Sequence, residues 1–83
     1  MLVPLYGFLR GDTIGLIVLV QDHQTVADVA AILQQAACVR VAPRRRARVY
    51  LAGRALDPRL TVAAAGLTAL DRVDVVPLED EEP

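Results

Sequence analysis

No serine, lysine, asparagine or tryptophan occurs in this chain. Without serine and lysine there is no serine nucleophile, no Schiff-base lysine and no lysine for a phosphate-binding P-loop. The single cysteine, Cys38, has no partner for an intramolecular disulfide. His23 is the sole histidine. One His, one Cys and scattered carboxylates do not make the clustered ligand set that a metal requires. His23 reads as a solvated loop residue and Cys38 as a buried core thiol. The helix expected between them would hold them about 20 Å apart, at ~1.5 Å of rise per residue. Gly11, Gly15, Gly53 and Gly66 stand alone and read as turn, strand or cap glycines, so no glycine-rich phosphate loop exists. No apolar run approaches the ~18 residues of a membrane helix, and Met1–Leu9 lacks a basic leader. The expectation is a soluble cytoplasmic protein with no membrane partner, no cofactor, no metal, no small-molecule substrate and no catalysis of its own.

What is present is apolar, at 54% of 83 residues. A chain of this length is one domain. A domain so small hides only somewhat over ~60% of its unfolded surface, so little room is left to enclose a substrate. The net charge of −1 conceals an uneven distribution. Seven arginines between Arg40 and Arg59 face only Asp57, whereas six carboxylates from Asp71 onward face only Arg72. Surface solubility with partial self-neutralisation is one reading; a bipolar docking surface is the other. Arg44, Arg45, Arg46 and Arg48 form a basic patch. The only aromatics, Tyr6, Phe8 and Tyr50, offer no stacking platform beside it, and the acidic C-terminus opposes nucleic acid, so none is expected as a partner. The planar arginine fork suits carboxylates on a partner protein instead.

The longest regular element is a helix over about 25–37. Thr25 supplies an N-cap, and Asp28 three residues later completes a capping box. Val26, Val29, Ala30, Leu33 and Ala37 recur at helical spacing, with Ile32 and Ala36 widening the stripe. Asp28, Ala31, Gln34 and Gln35 form the face read as fit for water. Strand-like segments flank this helix. Val3–Arg10 and the β-branched run Ile14–Val20 make an N-terminal hairpin around Gly11-Asp12. Pro4 belongs at a strand start or solvent-facing edge. Leu16, Val18 and Val20 share one face of the second strand and Ile17 and Leu19 the other. With both faces apolar, one is a candidate for cover by another molecule. Ala47–Ala52 reads as a third strand, Ala55-Leu56 as a two-residue strand, and Arg72–Leu78 as the last. Thr61 caps one helical turn over about 61–65, and Gly66 ends it. The expectation is an α+β domain over residues 1–78, with a four- to five-stranded mixed sheet gripping one helix. Residues 79–83 form an acidic tail.

This order, with Val49-Tyr50-Leu51-Ala52-Gly53-Arg54-Ala55-Leu56, then Leu60-Thr61-Val62, Gly66-Leu67 and Asp71–Val76, resembles the ubiquitin-like β-grasp. The chain finishes Asp80-Glu81-Glu82-Pro83 rather than in the Gly-Gly tail of conjugated modifiers, so a covalent modifier is not expected. A narrower resemblance spans nearly the whole chain. Val3-Pro4-Leu5, Gly11-Asp12 before Leu16–Val20, Thr25–Ala30, Cys38-Val39, the run Arg40-Val41-Ala42-Pro43-Arg44, Thr61–Leu67 and Val73–Val76 resemble the small gamma subunit (system protein B) of bacterial multicomponent toluene, aromatic and alkene monooxygenases. Arg40–Arg44 is the most specific piece. The resemblance implies a non-catalytic subunit that binds the large hydroxylase subunit, where the di-iron centre resides, and supplies no metal ligand itself. A weaker resemblance is to free-standing ubiquitin-like adaptors of specialised secretion systems. Tyr50 and Val76 are expected on the sheet face away from the helix, at positions that resemble ubiquitin's docking patch. They are expected to contact the partner, with Arg44, Arg45, Arg46 and Arg48 flanking them.

Overall fold

The computed structural model describes residues 1–78, so the acidic tail lies outside the described residues. Five strands and one helix follow in the order β1 (Leu2–Leu9), β2 (Gly15–Gln21), α1 (Val26–Ala36), β3 (Ala47–Leu51), β4 (Arg54–Ala55) and β5 (Arg72–Pro77). They form a mixed sheet ordered β2-β1-β5-β3-β4. β1 runs antiparallel to β2 and parallel to β5. This is the expected grasp of a sheet around a single helix. Among the described residues, no helix is long and apolar enough to cross a membrane.

α1 starts where its sequence dictates. The Thr25 hydroxyl accepts from the Asp28 N–H at 3.2 Å, and the Asp28 carboxylate accepts from the Thr25 N–H at 3.0 Å. Both orphan donors of the first turn are thereby satisfied. Val26, Val29 and Leu33 are fully buried against Val3, Leu5, Leu9, Val18, Val20, Val49, Val73 and Val75 on the inner sheet face. Removing Val26, Val29 and Leu33 from water contributes roughly 1.5–3 kcal/mol each.

Three expectations on α1 and its exit need correction. Gln34 is buried rather than water-facing. Its amide oxygen accepts from the Arg44 N–H at 2.8 Å and its Nε2 donates to the Arg44 carbonyl at 3.3 Å. The loop returning to β3 supplies the partners that allow a polar group to be covered. Ala36 is exposed, outside the stripe. Cys38 is exposed too, because α1 ends at Ala36 and successive turns carry the chain away from the core.

Pro4 sits as the third residue of β1, ahead of the parallel ladder with β5, which begins at Tyr6. Its carbonyl accepts from the Leu70 N–H at 2.6 Å. Gly7 lies directly under α1, where a Cβ would meet both terminal methyls of Leu33 at 2.9 Å. The 61–65 segment is a hydrogen-bonded turn rather than a helix. The Thr61 hydroxyl accepts from the Ala64 N–H and the Thr61 carbonyl from the Ala65 N–H. Gly66 follows at φ +80°, as its C-terminal position requires. The Val26 N–H donates to the Leu60 carbonyl and the Val62 N–H to the Gln24 carbonyl. These bonds tie this segment to the entry of α1.

The short fourth strand begins one residue earlier than expected, because Ala52 belongs to the turn and not to β3. Ala52 and Gly53 have φ of 53° and 80°, the geometry of a two-residue type I′ hairpin. Alanine carries a steric cost in this left-handed region that asparagine tolerates better. Ala52→Asn is therefore expected to stabilise the fold by about 0.5–1 kcal/mol. Urea unfolding followed by circular dichroism reads this directly; an unchanged or lower midpoint would contradict it.

Candidate docking faces

Strand alternation sends the valines and leucines of the core to one side of the sheet. The residues between them go to the other, and register fixes their neighbours. On the outward face Pro4 stands opposite Leu19, Tyr6 opposite Ile17 and Arg72, and Phe8 opposite Gly15 and Asp74. Tyr50 stands opposite Asp74, and Arg48 opposite Val76. The face thus has two halves. The β1–β2 half is apolar, with Leu2 51%, Tyr6 41%, Ile17 56% and Leu19 56% exposed. The β5–β3 half carries the half-buried Tyr50 and Val76 beside Arg48, Arg72 and Asp74.

The seam between the halves is built from three side chains. Tyr6 and Phe8 lie with ring centroids 4.7 Å apart at 57°. The Arg72 guanidinium carbon stands 4.1 Å from the centre of the Phe8 ring, a cation–π contact. Arg72 also donates to Asp74 from its Nη2 at 3.1 Å and its Nε at 3.3 Å. The rings cover Gly15: a Cβ there would come within 2.7 Å of the Tyr6 ring and 2.8 Å of the Phe8 ring. Gly15, the first residue of β2, is the floor of this aromatic pair.

A second concave feature lies on the helix side. It is a groove of about 490 Å³ between α1 and the segment leading into β3. Val26, Ala27, Ala30 and Ala31 contribute to its apolar wall, and Arg44, Arg45, Arg46, Arg48 and Leu78 also line it. The six residues singled out from the sequence therefore divide between the two features, with Arg48 common to both. Tyr50, Val76 and Arg48 share the outward sheet face. Arg44, Arg45 and Arg46 precede β3 and line the groove. The apolar β1–β2 half was absent from the expected contact residues, although the doubly apolar pattern of β2 signalled it.

The sequence also gave no sign that Asp12 and Arg40 would meet. Arg40 donates to Asp12 through Nε at 2.8 Å and Nη2 at 3.0 Å, a two-pronged pair joining the β1–β2 turn to the loop after α1. The Asp12 side chain is 1% exposed and that of Arg40 35%. The Arg40 hydrogen bonds hold the Asp12 carboxyl below its ordinary value of 3.8, outweighing the opposing effect of burial, and the Thr13 N–H adds to the lowering. A lowered folded-state pKa stabilises the fold above the unfolded value, and that contribution is lost as pH falls through the folded one. Asp12→Asn is therefore expected to lower the thermal midpoint at pH 7 and to flatten its decline below pH 3.8. Parallel melting curves across that range are the check; an unchanged acid limb would remove this pair from the acid response.

A helix held by a mixed sheet of this order defines a ubiquitin-like β-grasp protein. The chain belongs to the toluene-4-monooxygenase system protein B family, whose model matches residues 2–76. It is thus a small, non-catalytic component of a monooxygenase system. It is similar to a chain in the toluene 4-monooxygenase HD complex with the inhibitor 4-bromobenzoate. There the TM-score is 0.85 at 24% identity, covering 94% of this chain and 100% of that one. It is similar also to Caldiarchaeum subterraneum ubiquitin, with TM-score 0.75 and 18% identity over 99% of this chain and 100% of that one. At this identity the likenesses speak to fold alone. No curated relative matches the chain.

Proposed function

We propose that this chain, acting as one domain over residues 1–78, binds the large hydroxylase subunit of a di-iron aromatic or alkene monooxygenase in the cytoplasm. It contributes to assembly rather than to the oxidation itself. The observation that carries this reading is the outward sheet face. A member of a monooxygenase-system family presents Leu2, Tyr6, Ile17 and Leu19 to solvent on contiguous strands. An apolar area of this kind on a small protein marks an interaction site. Tyr50, a large and stiff amphipathic side chain, anchors the adjoining half with Val76. Arg48 sits beside them, opposite Val76, to meet a carboxylate at the rim.

The test is recovery of the tagged protein from its native host with its partners identified by mass spectrometry. A stoichiometric complex holding the large hydroxylase subunit, with iron in the eluate, supports the reading. Recovery of the protein alone, or with membrane secretion components, overturns it.

A further inference from the structure

We propose that the groove beside α1 is a second binding site, distinct from the outward sheet face, and that its occupant is an acidic, amphipathic peptide segment of a partner chain. The inference builds on the reading of this protein as a binding subunit, but not on which protein it binds. The groove combines two chemistries that such a segment matches. Its helix wall is small and apolar over Val26, Ala27, Ala30 and Ala31, with Ala27 and Ala31 exposed, and becomes polar at Gln34 and Gln35. Small side chains leave space for the larger apolar side chains of a ligand. Its other wall carries Arg44, Arg45 and Arg46 in succession, all exposed. Three adjacent guanidinium forks complement carboxylates spaced along a peptide.

The wall is also preset. The two hydrogen bonds between the Gln34 amide and the Arg44 backbone hold that backbone against α1, so the arginines project from an anchored segment. An anchored wall lowers the ordering cost of binding. Nucleic acid fits less well. Tyr6, Phe8 and Tyr50 all belong to the outward sheet face, leaving no aromatic side chain along the groove on which bases could stack.

The experiment uses the full chain and a fluorescein-labelled peptide with leucines at i, i+3, i+4 and i+7 and glutamates between them. Saturable binding is expected. It should weaken about tenfold or more when Arg44, Arg45 and Arg46 are replaced together by alanine. It should weaken similarly on Ala31→Trp, which fills the groove without changing charge, and on replacing the peptide glutamates by glutamine. Circular dichroism melts confirm that each variant is folded. A variant carrying E79Q, D80N, E81Q and E82Q tests the chain's own carboxylates as competitors. If binding emerges only there, the occupant belongs to this chain and the partner assignment falls. Equal affinity for single-stranded oligothymidylate, insensitive to Ala31→Trp, would mark a general polyanion surface and overturn the site. Peptide binding without hydroxylase recovery supports the groove and overturns the hydroxylase reading. Hydroxylase recovery without peptide binding overturns the groove alone.

Discussion

Leu33→Ala is expected to lower the unfolding free energy by about 2–5 kcal/mol, a large share of the stability of so small a domain. Leu33 is fully buried in the C-terminal half of α1, and its terminal methyls stand 2.9 Å from where a Cβ on Gly7 would be. The leucine and the glycine are therefore two parts of one contact between helix and sheet. Gly7→Ala alone forces a methyl into that contact and is expected to cost about 1–3 kcal/mol, because the surrounding core cannot easily yield. The informative variant carries both changes. The cavity left by Leu33→Ala lies where the Gly7→Ala methyl would enter, so the double variant should be more stable than the sum of the two losses allows. A coupling of roughly 0.5–3 kcal/mol is the expected range for residues in contact. Urea titrations of the four proteins measure it. Additivity to within about 0.3–0.5 kcal/mol would mean that the helix shifts away from β1 instead of holding its distance.

What the sequence disclosed about this contact and its surroundings follows a physical divide. The helix was legible because its signals are local: Thr25 and Asp28 are three residues apart, and the valines and Leu33 repeat at helical spacing. The strands were legible by composition and alternation. The misreadings involve partners distant along the chain. Gln34 looks like a solvent residue until the Arg44 backbone, ten residues on, arrives to satisfy its amide. Asp12 and Arg40 are 28 residues apart, and only the packed fold brings the β1–β2 turn to the exit of α1. Cys38 looks apolar enough for the core, but a helix stop, expected at Ala37 and found at Ala36, does not reveal which way the chain turns after it. The candidate docking residues divide for the same reason. Alternation along one strand places Arg48 and Tyr50 on the same face, and pairing with β5 adds Val76. Arg44, Arg45 and Arg46 lie before the strand begins, where no alternation rule applies. Sequence proximity grouped all four arginines, and the groove keeps them together, since Arg48 lines it as well.

Ile17→Asp is expected to leave the free protein folded while weakening its capture of the hydroxylase subunit by roughly a hundredfold or more, since an unpaired carboxylate is costly to bury. The logic rests on the two states that Ile17 would occupy. In the free chain it is 56% exposed on edge strand β2, so a charge there stays in water. On an edge strand it also discourages pairing between copies. In the proposed complex the same position is covered by apolar surface. Tyr50→Ala examines the other half of the face and should weaken capture by about thirtyfold, the effect of losing an aromatic anchor, with Tyr50→Phe retaining most of the affinity. The pair of variants separates four arrangements. Loss in both places the interface across the whole outward face. Loss only with Ile17→Asp confines it to β1 and β2. Loss only with Tyr50→Ala confines it to the β5–β3 half, and undiminished capture of both would place the hydroxylase contact elsewhere on the molecule. Thermal melts of the isolated variants are the necessary companion measurement. An interface defect appears only when the partner is present, and a fall in the stability of the free chain would attribute it to folding.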